Sequence, residues 1–102
     1  MTRNRIELEG TVVEPPEIRT TPAGTPVLRF SVDCGAPGEE LRLAIVTVGE
    51  PALAAKPKLE PGRQVRVIGR MRALKSKMKT GATIEVVAES IERNEQEKNQ
   101  GT

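Results

Sequence analysis

Seven cationic side chains and no carboxylate lie between residues 63 and 83: Arg63, Arg66, Arg70, Arg72, Lys75, Lys77 and Lys79. Guanidinium and ammonium groups at this density bind phosphate oxygens, and each contact releases a condensed counterion from a polyanion. The acids gather elsewhere, from Glu7 to Glu17, at Glu39 and Glu40, and from Glu85 to Glu97. The whole chain carries only +2. The run is therefore a local feature of a nearly neutral protein, which points to a directed electrostatic role. A solvated face kept soluble by lysine is the competing explanation. Lys75, Lys77 and Lys79 are spaced by two, and in extended backbone such side chains point the same way.

Other chemistry is poorly supplied. The chain has no histidine, so the usual general base and the commonest metal ligand are missing. One cysteine, Cys34, allows neither an internal disulfide nor a thiolate zinc cluster. It reads as a small core residue rather than a reactive thiol. No phosphate-binding glycine loop of the P-loop type occurs. Glu39 and Glu40 sit in a turn-rich segment that suits a solvated surface. The expectation is a binding protein that is not an enzyme, with no metal and no cofactor. No apolar run approaches a membrane span, and Arg3 and Arg5 stand where a signal segment would begin. A reducing, cytoplasmic setting follows as the default.

The elements that must position these residues are short strands. Ile6, Leu8, Gly10 and Val12 recur with period two, as do Leu28, Phe30, Val32 and Cys34. Pro15 and Pro16 bend or end the first run. The turn-rich Thr21-Pro22-Ala23-Gly24-Thr25-Pro26 leads to the second, which predicts a hairpin with a long loop. Residues 41–48 are nearly continuous in apolar side chains, as expected of a strand buried on both sides or curling across a barrel. Pro51 followed by Ala52, Leu53, Ala54 and Ala55 predicts a short helix that Pro57 cuts off. Val65, Val67, Gly69, Met71 and Ala73 form a fourth strand, and Ile84, Val86 and Ala88, with Val87 and Ile91, a fifth. Gly10 and Gly69 fall inside strands, where a barrel bends or coils. The order β, β, β, helix, β, β predicts an all-β fold: a five-stranded OB-fold barrel with a short helix between strands 3 and 4. A single domain over residues 1–93 is expected, with a disordered polar tail over residues 94–102.

Several stretches carry a resemblance. Asn4-Arg5-Ile6-Glu7-Leu8-Glu9-Gly10-Thr11-Val12 resembles the first strand of bacterial single-stranded-DNA-binding proteins. Arg19, Pro22-Ala23-Gly24-Thr25-Pro26 and Phe30 follow at that family's spacing. Gly62, Val65, Val67 and Gly69 match its fourth strand, and Lys75-Ser76-Lys77-Met78-Lys79-Thr80-Gly81 resembles its lysine-rich loop. The similarity runs over most of residues 4–92. It looks closest to the small primosomal replication protein N group, because the acidic-tipped tail of full-size members is not seen after the fifth strand. The resemblance implies a homodimer that binds single-stranded DNA, with the primosomal helicase and helicase-loading factors as partners. One departure stands out: the family usually carries aromatic residues on its binding face, including a tryptophan near the start of strand three, whereas this chain has no tryptophan or tyrosine and Phe30 is its only aromatic. Phe30 shares parity with Leu28 and Val32, which places it in the core. Binding would then rest mostly on phosphate contacts, since aromatic stacking contributes about 1–3 kcal/mol per base.

The candidate nucleic-acid contacts are Lys75, Lys77 and Lys79 first, of which Lys77 and Lys79 match the family loop. Arg70, Arg72, Arg29 and Arg42 follow on outward strand positions, and Arg19 at a basic position of the first loop. An arginine plane stacks on a base and so replaces part of the missing aromatic surface. Cross-strand pairing with glutamate or aspartate is the alternative for the arginines. Two further functions fit the same barrel: a protein-docking module that barely touches nucleic acid, and an RNA-binding OB domain.

Overall fold

The computed structural model describes residues 2–74 and 83–94. Six strands and one helix follow each other as β1 (Ile6–Val12), β2 (Glu17–Thr20), β3 (Pro26–Asp33), β4 (Arg42–Val48), α1 (Glu50–Ala55), β5 (Gln64–Leu74) and β6 (Thr83–Arg93). The sheet runs β1-β5-β6-β4-β3-β2, and a further β1–β3 pairing closes a ring of five strands. Strands β4 and β6 are parallel, with Ala44 opposite Glu85 and Val46 opposite Val87. This is the expected OB-type barrel, with α1 between the third and fourth strands of the ring.

Two details of the pairing differ from expectation. The first and second apolar runs do not form a simple hairpin. Strand β1 lies along β5 from Ile6 opposite Gly69 to Thr11 opposite Gln64, and meets β3 only through Thr11 and Val12. The hairpin partner of β3 is instead β2, a short sixth strand that period-two counting overlooks because it offers four residues and one apolar side chain, Ile18. The intervening turn is tied by the Gly24 N–H donating to the Thr21 carbonyl at 2.8 Å and the Thr25 N–H donating to Thr21 Oγ1 at 3.1 Å. Gly24 adopts φ +91°, a conformation that side-chain-bearing residues rarely take.

Alternate strand residues fill the barrel: Leu28, Phe30 and Val32 from β3, Ile45 from β4, Val65 and Val67 from β5, and Val86, Ala88 and Ile91 from β6. The spacing 86, 88, 91 breaks period two. A bulge explains it, because Ile68 faces Ser90 while Gly69 faces Ala88, leaving Glu89 as the extra residue. Ala52, Ala55 and Leu59 plug one end of the barrel from α1 and the 3₁₀ turn at Lys56–Lys58 that contains Pro57. Cys34 is half-buried beside the barrel rather than in it, its thiol donating to the Leu41 carbonyl. Burial, aided by the Asp33 charge, pushes that thiol's pKa up, so it is a poor nucleophile.

Candidate nucleic-acid interface

The outward side chains of the sheet fall into rows fixed by strand register. In one row Arg29 (β3) stands opposite Val46 (β4), Val46 opposite Val87 (β6), and Val87 opposite Arg70 (β5). In the adjoining row Ser31 faces Ala44, Ala44 faces Glu85, and Glu85 faces Arg72. Arginines thus bracket the first row, and the floor between them holds small or apolar residues together with Glu85. Phe30 is buried in the core and reaches this side only in the lining of the cleft at its corner.

Glu85 joins the two rows. Its side chain is 0% exposed although it lies on the outward face. Arg29 donates from Nη1 to Oε2 at 2.9 Å, reaching over β4 to do so. Arg72 donates to Oε1 from Nε at 3.1 Å and also from Nη2. A carboxylate taken out of water needs such partners on its lone pairs. The guanidiniums are not buried in return: the Arg29 and Arg72 side chains keep 51% and 44% of their exposure. Val46, buried beneath this span yet outside the core cluster, completes the packing.

The other candidates divide clearly. Arg70 is exposed and makes no ion pair among the described residues. Arg42 is paired with Glu40, and Arg19 with Glu17 at 2.9 Å. Both pairs are well exposed, so they hold their arginines only weakly. Arg42 continues the outward positions of β4 one step beyond Ala44, whereas Arg19 lies on β2, apart from the two rows. Lys75, Lys77 and Lys79 lie outside the described residues. Along the chain they belong to the connection between Leu74 and Thr83, the paired ends of β5 and β6.

Two residues escaped the sequence reading. Glu85 is the sole acid between Glu60 and Glu89, and an isolated carboxylate in a strand beside a basic one is a signal of pairing. Arg5 is the other. The Asn4 side chain donates to the Met71 carbonyl at 2.7 Å and accepts from the Met71 N–H at 3.0 Å, adding a rung to the β1–β5 ladder. Continuing the register from Ile6 opposite Gly69 sets Arg5 opposite Arg70. Arg5, Arg70, Arg72 and Arg29 therefore cross the sheet from β1 to β3, with Glu85 as the one acid among them.

The opposite end of β5 is acidic. Arg66 lies opposite Glu9 on β1 and Glu92 on β6, and is hydrogen-bonded to Glu7. That hydrogen bond, with the surrounding carboxylates, raises the Arg66 pKa. Between Glu14, Glu17 and the Arg29–Ser31–Ala44 corner of the sheet opens a cleft of about 400 Å³, with Phe30 and Ile45 also in its lining.

Residues 3–94 match the single-strand binding protein family. The chain belongs to that family. Among solved structures it is similar to the SSB domain of a protein from Synechococcus sp., at 26% identity and a TM-score of 0.75, covering 91% of this chain and 98% of that one. It is also similar to the single-stranded DNA binding protein from Thermus aquaticus, at 27% identity and a TM-score of 0.76 over 90% of this chain. That match spans 40% of the Thermus chain. No curated protein sequence matches. OB-folds bind oligonucleotides on the face of their second and third barrel strands. In this member of the single-strand binding protein family those are β3 and β4, the strands that carry Arg29, Ser31, Ala44 and Val46.

Proposed function

We propose that this protein binds single-stranded DNA across the outward face of β5, β6, β4 and β3, chiefly through phosphate contacts and without catalysing a reaction. The observation that carries this is the arginine track itself: Arg5, Arg70, Arg72 and Arg29 lie across one face of an OB barrel of the single-strand binding protein family. The track leads toward Leu74, and Lys75, Lys77 and Lys79 follow Leu74 in the sequence. Phosphates are contacted by Arg70 and Arg5, which make no ion pair among the described residues, and by those lysines, because a guanidinium already held by a carboxylate has less to offer an anion. The finer role, an accessory of the replication-restart primosome that acts as a homodimer between the restart helicase and helicase loading, rests on the residue-by-residue resemblance at positions 4–12, 19–30 and 75–81.

The test is a titration of labelled oligonucleotides at two salt concentrations. Binding to a single strand at low salt, preferred over duplex, should weaken with salt by a log–log slope of roughly −0.7 per phosphate neutralised. Replacing Lys75, Lys77 and Lys79 together by alanine should make that slope shallower by about 2. No detectable binding at low salt leaves the protein-docking module as the better account, and a clear preference for RNA leaves the RNA-binding one. Light scattering reports the dimer, and surface-immobilised restart helicase reports the partner.

A further inference from the structure

The Arg29–Glu85–Arg72 cluster is poorly designed for phosphate. Both carboxylate oxygens of Glu85 are occupied by guanidinium donors, so each arginine has part of its charge and its donor edge committed before any ligand arrives. A cluster meant only to attract anions would not carry a carboxylate at its centre. The nearby cleft adds to this, since Glu14 and Glu17 stand on its rim and repel a phosphate. What the pinned arginines do retain is their flat surface. About half of each side chain is exposed, and the floor between them is made of Ala44, Val46 and Val87. A planar, weakly hydrated guanidinium stacks on aromatic rings, and the stacking needs no donor edge. Fixing its rotamer beforehand removes part of the ordering cost of binding.

We infer that Glu85 is a positioning residue that sets Arg29 and Arg72 as a stacking platform for a nucleobase, in place of the tryptophan and tyrosine rings this chain lacks. The inference rests on single-strand binding at this face, and divides the labour there: bases lie on the pinned arginines, phosphates on Arg70 and Arg5. Glu85 also keeps the two guanidiniums from closing on a phosphate and misplacing the strand.

The experiment compares a thymine oligonucleotide with an abasic strand of equal length, which keeps every phosphate and no base. The ratio of the two affinities reads the contribution of the bases. E85Q keeps the side chain's shape and removes the charge that holds the arginines. It should lower that ratio about tenfold, a loss within the range of one stacked base, while binding of the abasic strand stays equal or tightens. R72K keeps the charge but has no planar face, and it should lower the ratio similarly with abasic binding unchanged. Circular dichroism melts verify folding, and R72K alone decides if E85Q does not fold. An E85Q protein that binds both strands more tightly by the same factor, or an unchanged ratio in both variants, overturns the inference and makes Glu85 a plain charge mask. A wild-type protein that binds neither strand at low salt defeats the proposed function instead, a distinguishable result.

Discussion

Asp33, at the end of β3, shows what a single side chain contributes. Its Oδ1 accepts from the Gly35 N–H at 3.1 Å and from the Leu41 N–H at 3.2 Å, closing the loop between β3 and β4. Those two backbone donors hold its carboxyl below the ordinary value, and Arg42 contributes a smaller electrostatic pull against some desolvation. A depressed pKa means that the folded state binds fewer protons than the unfolded state in the window between the two values. The stabilisation is therefore complete above the ordinary carboxylate value of 3.8 and fades as the pH falls toward the lowered one. Asp33→Asn keeps an acceptor but does not titrate, so urea melts of the variant should lose less stability between pH 5 and pH 2 than the wild type, by definition of the linkage. Equal losses in both proteins would show the loop tie to be pH-independent. Neither this tie nor the Glu85 cluster was legible as such. Alternation told that residues 29, 70 and 72 face outward, but not that a glutamate on the same face, Glu85, is covered by arginines from strands that are far apart in sequence.

At the level of elements, the five barrel strands were legible because period two is a local signal, and Gly10 and Gly69 were legible as places where the barrel bends or coils; the close approach there is what the structure adds. A Cβ on Gly69 would lie 2.0 Å from the Val87 carbonyl oxygen and 2.9 Å from the Ala88 Cα, at the β6 bulge. Both obstacles are backbone, so neither can swing aside. A Cβ on Gly10 would meet the Asp33 carbonyl oxygen at 2.8 Å, where β1 crosses toward β3. Gly69→Ala should therefore cost about 3 kcal/mol or more, at the upper end of overpacking penalties. Gly24→Ala, at positive φ but in open space, should cost only about 1–2 kcal/mol. Denaturant unfolding of the pair checks the order, and a Gly69→Ala protein as stable as Gly24→Ala would mean that the bulge yields easily. What local signals could not reveal was the pairing itself. That β1 lies along β5 rather than β3 depends on ring closure, a property of all the strands together.

The whole molecule carries its charge unevenly along one strand. The acidic end, with Glu9 and Glu92 around Arg66, is four residues along β5 from Arg70, or about 13 Å at the rise of an extended chain. The Debye length near physiological salt is about 8 Å. The two ends are therefore electrically separate at that salt, and a strand drawn to Arg70 and Arg72 leaves toward β3 or the Leu74 end rather than over Arg66. Replacing Glu9 and Glu92 by glutamine removes as much charge as replacing Arg5 and Arg70 by alanine, with opposite sign. If net charge governed binding, the two doubles would shift affinity by similar factors in opposite directions. The track instead requires that the glutamine double change affinity less than about twofold near 0.15 M salt, where its sites are screened from the ligand. The alanine double should weaken binding severalfold and make the salt slope shallower by about 1.4, two phosphates' share. Repeating both titrations at 10 mM salt, where the screening length is about 30 Å, should let the glutamine double tighten binding as well. Failure of that salt-dependent contrast would mean that the nucleic acid follows another path across the barrel.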